Sequence, residues 1–257
     1  MKLLVDIGNQ RLKWRLYSDS GTVGGGLFPA SGKSLGNDLE QVWGSLPRPE
    51  SAWASCVAGS EPRERIGRWL RDRWALDPVW VEARRAAGGV RNGYRNPTEL
   101  GSDRWAVLVG ARALAPEKGA LVVDCGSAIT VDALSAEGNF IGGVIMPGLA
   151  MMAASLTRGT GEIFLPETGV EFDDDPPAAI DACGRSTRAA VSNGILCAAV
   201  GGIEQALQAQ RARLRAAPRY FLTGGDAGRL QGLLNEEFIL EPDLVLQGLA
   251  VLAESGS

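Results

Sequence analysis

The sequence predicts an α/β protein built from two similar halves with a cleft between them. Residues 3–26 align without a gap on residues 121–144, at an offset of 118, and seven of the 24 aligned pairs are identical. In both copies an apolar run enters an Asp-x-Gly-polar turn, leaves as a second run, and returns through a third into a Gly-Gly pair. Short apolar runs separated by turn residues predict β-strands, so this pattern predicts a three-stranded meander used twice.

In the first half, the elements after the meander follow from apolar spacing and from breaker residues. Apolar residues at helical spacing predict an amphipathic helix over 62–74, and the run at 79–81 predicts a short strand. Residues 92–97 are rich in Asn, Gly and Pro and predict a loop, after which Ser102 or Asp103 begins a helix that runs to Leu114.

In the second half, we expect a helix after Pro147 and a long helix over about 187–214. A strand at 220–222 and a final helix over 244–253 complete it. Residues 171–177 are acidic and broken by proline, which predicts an exposed loop. The breakers at 116–119 precede the second copy of the repeat, so we place the halves at 1–117 and 118–257.

The composition narrows the function classes. The 257 residues are 45% hydrophobic and 22% charged, which is typical of a folded domain, and the net charge of −4 does not predict a nucleic-acid partner. The absence of histidine excludes Ser-His-Asp and Cys-His catalysis within the chain and leaves Asp, Glu, Lys, Tyr or Cys as acid or base.

The four cysteines have neither zinc-ligand nor Cys-x-x-Cys spacing, which predicts buried thiols in a reducing compartment. We find no signal-peptide pattern and no stretch of about 18 uninterrupted apolar residues. The sequence therefore predicts a cytoplasmic protein with no membrane partner.

The repeated turns indicate an anion site. Glycine lets the main chain approach closely, so such a turn can present backbone N–H groups to a phosphate. Arg11 and Lys13 alternate on the strand that leaves the first turn, so their side chains share one face and can neutralise phosphate charge. Asp6 and Asp124 are better suited to a metal ion or its water. The alternative is an ordinary hairpin turn, but the repetition and the Thr223–Asp226 segment favour a nucleotide site.

An ordered set of motifs resembles type III pantothenate kinase, a family of the actin-like, sugar kinase and Hsp70-type ATPase superfamily. The resemblance implies a duplicated actin-like (ribonuclease H-like) fold, with mixed sheets flanked by helices. It also implies transfer of phosphate from ATP to the primary hydroxyl of pantothenate, giving 4′-phosphopantothenate in the first step of coenzyme A synthesis. The motifs are Asp6-Ile-Gly-Asn9-x-Arg-Leu-Lys13, Tyr94-x-Asn-Pro97, Leu100-Gly-Ser-Asp103-Arg104, Asp124-x-Gly-Ser-Ala-Ile-Thr130, Gly142-Gly-Val-Ile-Met-Pro-Gly148 and Thr223-Gly-Gly-Asp226.

The same resemblance implies a role for each matching residue. Asp103 is the implied base, Asp124 the implied site of potassium or ammonium, and Asp6 the implied site of the magnesium that accompanies ATP. The implied nucleotide contacts are Asp6, Gly8, Asn9, Gln10, Arg11, Lys13, Gly126, Ser127, Thr223, Gly224 and Gly225. The implied pantothenate contacts are Tyr94, Gly101, Ser102, Asp103, Arg104 and Thr187, the last reaching the site of a neighbouring subunit in a homodimer.

Departures from the family pattern leave two other functions open. Gln10 and Ser127 stand where the family usually has threonine, and the histidine that some members place near the substrate is absent. The first alternative is a non-catalytic regulatory relative of the same fold, and the second is another actin-like small-molecule kinase or a phosphatase of that fold.

Four site residues also have ordinary structural interpretations. Asp103 can be a plain N-cap, Arg104 a solvated salt-bridge partner, Tyr94 a loop anchor and Thr187 part of a helix cap. As a carboxylate at a helix start, Asp103 is expected to have a lowered pKa. The helix after Thr187 has more apolar surface than is typical of a solvent-exposed helix, which favours burial in the core or against another subunit.

Overall fold

Two five-stranded sheets, one in each of two units, organise the chain. The computed structural model describes residues 1–18, 21–30, 32, 35–159 and 179–256. The first unit contains Met1–Leu114 and Asp243–Ser257, and the second contains Ala115–Pro242. The acidic loop predicted at 171–177 lies outside the described residues.

The sheet of the first unit has the order β3-β2-β1-β4-β5. β1 pairs parallel with β4, and β4 with β5, whereas β2 is antiparallel to both β1 and β3. The strands are β1 (Lys2–Ile7), β2 (Arg11–Ser18), β3 (Gly21–Pro29), β4 (Ser51–Cys56) and β5 (Val79–Trp80). The other elements are α1 (Leu35–Trp43), α2 (Ser60–Trp74), the hairpin β6 (Ala86–Ala87) and β7 (Val90–Arg91), a 3-10 turn (Pro97–Glu99) and α3 (Ser102–Leu114).

The sheet of the second unit repeats this order as β10-β9-β8-β11-β12. Its strands are β8 (Ala120–Cys125), β9 (Ala128–Leu134), β10 (Phe140–Pro147), β11 (Arg219–Thr223) and β12 (Ile239–Leu240). Its helices are α4 (Leu149–Gly159), α5 (Thr187–Arg211) and α6 (Ala227–Gln231). The last helix, α7 (Leu244–Glu254), belongs to the first unit. The α/β fold with two similar mixed sheets is therefore confirmed.

Successive side chains of β1 point to opposite faces of the first sheet. Leu3, Val5 and Ile7 join a core that includes Trp43 of α1 and Trp74 of α2. Trp43 lies at the centre of an aromatic cluster and contacts Trp14, Phe28, Trp69 and Trp74. Burying this apolar surface stabilises the face of the sheet that carries α1 and α2.

α7 and α3 pack together in the first unit at very short range. A side chain at Gly110 would approach the backbone oxygen of Leu244 to 2.6 Å, and one at Gly248 would overlap the backbone of Ala106. Glycine at these two positions lets the helix backbones touch, so the two helices form one close-packed pair.

In the second unit the core lies between the sheet and α5. Ile195, Ala199 and Ile203 of α5 are buried in a cluster that includes Val123 and Val131. α5 is long and apolar enough to cross a membrane by length and composition alone. Its apolar face contributes to this core, and core helices pass the same composition test.

The two meanders are confirmed, but the turns differ in length. Asp6 lies opposite Lys13, whereas Asp124 lies opposite Thr130, so the first turn is one residue longer than the gapless alignment implies. The Gly8 amide closes the first turn on the Arg11 carbonyl at 3.0 Å, and the Gly126 amide closes the second on the Ala128 carbonyl at 3.0 Å. Gln10 lies within this longer turn.

The division at residues 117 and 118 remains a prediction for the domains. The second unit begins at Ala115, close to that division, and α7 belongs to the first unit. The apolar residues of α7 are packed on α3, a long-range contact that no local breaker signals.

Candidate active site

The first turn joins β1 to β2 at the end of the first sheet. The Gly8 amide donates to Arg11, the Ala30 amide donates to the Gln10 carbonyl at 3.0 Å, and Asn9, Gln10 and Arg11 are exposed. A side chain on Gly8 would lie 3.3 Å from the Arg11 carbonyl, which is closer than an ordinary contact. The turn therefore has a tight glycine base and an exposed polar rim, a form that can receive an anion.

Asp6 and Lys13 are cross-strand neighbours on the face of the sheet opposite the aromatic cluster. The Lys13 ammonium makes a 2.9 Å ion pair with Asp243, and Arg15 makes a 2.8 Å ion pair with the other oxygen of the same carboxylate. The expected alternation of Arg11 and Lys13 on β2 is present, but Lys13 is half-buried and Arg11 is exposed.

Ser102 fastens the start of α3 to the end of β4. Its hydroxyl shares a 3.0 Å hydrogen bond with the Ser55 hydroxyl and accepts a 3.2 Å hydrogen bond from the Cys56 amide. Ser55 lies beside Asp6 in the parallel register of β1 and β4. These bonds therefore hold the start of α3 near the strand that leads into the first turn.

Asp103 follows Ser102 in the first turn of α3. One carboxylate oxygen accepts a 2.7 Å hydrogen bond from the Arg104 amide, and a side chain on Gly101 would approach the same oxygen to 2.5 Å. The expected lowering of its pKa is wrong. Burial raises the pKa of Asp103 above its ordinary value, outweighing the hydrogen bonds and the Arg104 charge, which lower it.

Tyr94 and Arg104, two predicted substrate residues, meet in the structure. Arg104 is only 5% exposed and donates a 3.0 Å hydrogen bond to the Tyr94 hydroxyl. Its burial corrects the solvated salt-bridge interpretation. The Tyr94 loop is ordered by Asn92, whose side chain accepts from the Tyr94 amide at 3.0 Å and donates to the Pro97 carbonyl at 3.1 Å.

In the second unit, the equivalent turn is held by backbone contacts. The Gly148 amide donates to the Ser127 carbonyl at 3.1 Å, and a side chain on Gly148 would overlap the carbonyls of Gly126 and Ser127. The glycine that ends the Gly142–Gly148 motif therefore supports the turn that carries Ser127.

The Thr223–Asp226 segment comes to the same turn. Thr223 pairs in register with Asp124, and the Asp226 amide donates to the Cys125 carbonyl at 2.9 Å. Gly224 has a φ of +96°, and a side chain there would meet an Asp124 carboxylate oxygen at 2.5 Å. Only glycine fits this position, because both the backbone conformation and the space exclude a side chain.

Thr187 begins α5 and is exposed. The preceding Ser186 is the N-cap, with its hydroxyl accepting from the Ala189 amide at 3.1 Å. The cap role therefore belongs to Ser186, which leaves the Thr187 hydroxyl at the surface of the second unit.

Sequence reasoning missed several residues that organise these groups. Asp243, Arg15, Ser55 and Asn92 all contact or support a predicted site residue. Arg15 continues the alternation of Arg11 and Lys13, which is a local signal that could have been used. Asp243 is 228 residues away from Arg15, so no local pattern connects the two.

Comparison with known proteins identifies the family. Residues 2–209 match the family model described as type III pantothenate kinase. A type III pantothenate kinase from Burkholderia vietnamiensis is 37% identical over 257 residues, covering 99% of this chain and 97% of the relative. One from Alkalilimnicola ehrlichii is 38% identical over 255 residues, covering 99% and 98%.

Solved structures agree on the fold. A Campylobacter jejuni protein described as a conserved putative Baf family transcriptional activator gives a TM-score of 0.60 at 21% identity, covering 99% of this chain and 98% of the other. A Sinorhizobium meliloti protein described as a putative 2-dehydro-3-deoxygalactonokinase gives 0.59 at 15%, covering 99% of both. These identities support a shared actin-like fold only, whereas the full-length sequence matches are decisive: the chain belongs to the type III pantothenate kinase family.

Proposed function

We propose that this chain transfers the terminal phosphoryl group of ATP to the primary hydroxyl of pantothenate, at the first step towards coenzyme A. The observation that carries the proposal is the acceptor-side group in the first unit. Asp103 stands at the start of α3, anchored by Ser102 beside β1, and Arg104 joins this helix start to Tyr94. The acceptor motif distinguishes pantothenate kinases from other actin-like phosphotransferases, whose phosphate turns are similar.

Asp103 is proposed to orient the pantothenate hydroxyl and to accept its proton. In a loose phosphoryl-transfer transition state the proton leaves late, so a carboxylate is a sufficient base. Burial raises the pKa of Asp103, which makes its ionised form a stronger base than a solvated carboxylate. Gly101 leaves the space in which that carboxylate lies.

Arg104 and Tyr94 are proposed to bind the acceptor. A planar guanidinium suits the carboxylate of pantothenate, and the Tyr94 hydroxyl and ring suit its amphiphilic body. The 3.0 Å hydrogen bond between the two side chains fixes both before substrate arrives. A pre-ordered guanidinium loses less entropy on binding than a free one.

The phosphates of ATP are proposed to bind the two Asp-x-Gly turns. In the first unit the contacts would come from Gly8, Asn9, Gln10, Arg11 and Lys13. In the second they would come from Gly126 and Ser127, with the adenosine side on Thr223, Gly224 and Gly225. The exposed residues Asn9, Gln10 and Arg11 at the first turn support this assignment.

Two metal ions are part of the proposal. Asp6 would hold the magnesium that accompanies ATP, and Asp124 would hold a potassium or ammonium ion. Among the described residues, no three acidic, cysteine or histidine side chains are grouped so that they could hold a metal ion. One carboxylate beside backbone carbonyls is a hard-oxygen environment, and Asp124 has Gly224 and Cys125 beside it. Both ions would neutralise phosphate charge.

A homodimer that brings Thr187 to a neighbouring subunit completes the proposal. Gly194, Ala198 and Gly201 lie on the exposed side of α5, where small residues allow another surface to approach closely. Light scattering on the purified protein is expected to give twice the chain mass. A monomer at working concentration would remove Thr187 from the site.

A cytoplasmic location belongs to the same proposal. All four cysteines are free thiols, which fits a reducing compartment. The expected burial holds for Cys125 but is wrong for Cys183 and Cys197, which are exposed. The regulatory alternative has less support, because Asp6, Lys13, Asp103, Arg104 and Asp124 are all present.

A coupled ADP-release assay tests the proposed activity. ADP formation is expected to require pantothenate and to be stimulated by potassium or ammonium relative to sodium. No ADP above background with any of these salts at millimolar ATP would contradict the assignment. ADP release that does not depend on added pantothenate would indicate a different acceptor.

A further inference from the structure

Asp243 lies between two cations of strand β2. One carboxylate oxygen is 2.9 Å from the Lys13 ammonium, and the other is 2.8 Å from an Arg15 guanidinium nitrogen. All three side chains are about a quarter exposed, so the group is partly shielded from solvent. Burial raises the pKa of Asp243, but the hydrogen bonds and charges of Lys13 and Arg15 outweigh this and hold the pKa below its usual range.

The Asp243 carboxylate is attached to a fixed part of the first unit. It immediately precedes α7, whose backbone touches α3 at Gly110 and Gly248. A carboxylate carried by such a close-packed helix pair has little freedom to move, unlike the partner of an ordinary surface ion pair.

Arg15 has its own place beside this carboxylate. Its guanidinium lies over Gly25 of β3, where any side chain would overlap it. Glycine at this position therefore leaves room for the arginine.

The cationic arrangement is specific to the first turn. In the second meander, Thr130 and Asp132 occupy the register positions that correspond to Lys13 and Arg15. The two cations are therefore present in only one of the two copies of the repeat, the copy whose turn is longer.

The charges of the group explain why it needs both cations. Asp243 alone would fix Lys13 but would also repel a phosphate that approaches it. Arg15 cancels the charge of the carboxylate, so the group keeps one net positive charge, which belongs to Lys13. Three N–H donors on the ammonium allow Lys13 to bind Asp243 and a phosphate oxygen together.

We propose that Asp243 is a positioning residue that orients Lys13 towards the phosphates of ATP, while Arg15 cancels the charge of Asp243. The proposal rests on the proposed nucleotide role of Lys13 and deepens it. It assigns functions to two residues outside the recognised motifs of the chain.

Calorimetric titration with ATP, without pantothenate, tests the proposal. Asp243→Asn combined with Arg15→Met leaves the net charge of the group unchanged and is expected to weaken ATP binding about threefold, because the long lysine side chain must then be ordered during binding. In a Lys13→Met background the same double change is expected to alter affinity less than about twofold, since Asp243 and Lys13 act as a unit. Equal losses in both backgrounds, or no loss in either, would overturn the proposal.

Arg15→Met provides a second test that does not depend on the folding of the Asp243 variant. The uncancelled carboxylate should then hold Lys13 and repel phosphate, which weakens ATP binding by about tenfold. Unchanged affinity would overturn the proposal. Adding Asp243→Asn to Arg15→Met should restore part of the loss, and a further loss would contradict charge cancellation.

Asp77→Asn is the matched control. It removes the exposed 3.3 Å ion pair between Arg71 and Asp77 in the same unit, and ATP affinity should not change. Melting temperatures of all variants report folding separately. Normal ATP binding without pantothenate turnover would contradict only the proposed function, whereas additive effects of Asp243 and Lys13 would contradict only this inference.

Discussion

Gly101→Ala tests whether the place of the Asp103 carboxylate decides turnover. An added Cβ would lie 2.5 Å from a carboxylate oxygen of Asp103, and ordinary contact begins at 3.4 Å. The carboxylate must therefore move by 3.4 − 2.5 = 0.9 Å. A displacement of about 1 Å at a reacting group can cost about a hundredfold in rate, so kcat should fall by up to that factor.

Folding should be almost unaffected by the same substitution. Gly101 does not have a left-handed φ, so alanine fits the backbone. The free energy of unfolding should change by less than about 1 kcal/mol, because alanine also reduces the entropy of the unfolded chain. A reduced kcat with an unchanged melting temperature would separate displacement of the carboxylate from loss of the fold.

The coupled ADP-release assay with saturating ATP and varied pantothenate measures this effect. Gly36→Ala is the matched control, because an added Cβ there meets nothing closer than 3.9 Å. We expect the control to keep wild-type kcat. If Gly101→Ala turned over pantothenate within twofold of the wild type, the position of Asp103 would not limit the reaction, and the steric reasoning would be refuted.

Four further predictions concern Asp103, Ser102 and Asp124. Asp103→Asn should lower kcat by about a hundredfold or more. Because its raised pKa makes the folded state bind more protons, wild-type stability should fall as pH rises above the ordinary carboxyl pKa. Urea unfolding should therefore show that Asp103→Asn is more stable than the wild type at neutral pH, and this difference should vanish in acid. A variant less stable than the wild type at neutral pH would contradict the predicted direction of the difference. Ser102→Ala removes the hydroxyl that bonds the Cys56 amide and the Ser55 hydroxyl, so the free energy of unfolding in urea should fall by about 1–3 kcal/mol. An unchanged unfolding midpoint would show that these bonds do not hold α3. Asp124→Ala should abolish stimulation of ADP release by potassium, and an unchanged potassium response would place the cation elsewhere.

Local sequence patterns predicted the two meanders and most of the longer helices, but they missed α1, β4, α6 and β12. Apolar spacing located the helix near 62–74, the capping residues Ser102 and Asp103 located the helix at 102–114, and the repeated turns located both meanders. Register was harder to predict. The gapless alignment hid the extra residue of the first turn, because side-chain identities on either side of a turn do not report how many residues the turn contains.

For the candidate site, too, the motifs identified residues, whereas only the folded structure showed the surroundings of those residues. Tyr94 and Arg104 were both selected from motifs, but only packing showed that Arg104 is buried and bonded to Tyr94. The pKa of Asp103 was predicted in the wrong direction. Its position at a helix start is visible in the sequence, whereas the burial that outweighs the helix dipole is a property of the folded unit.

By itself, the sequence determined that this is a duplicated α/β chain with two glycine-hinged acidic turns, whereas the acceptor motif was identified by its resemblance to type III pantothenate kinases. The strands and turns of the two copies depend on residue type and on spacing over a few positions, because the direction of each side chain follows from the local backbone geometry. Tertiary structure alone decided that Asp243 lies against Lys13 and Arg15, and that α7 packs on α3. Such contacts join residues more than a hundred positions apart, so they exist only after the chain has folded and desolvated their surroundings.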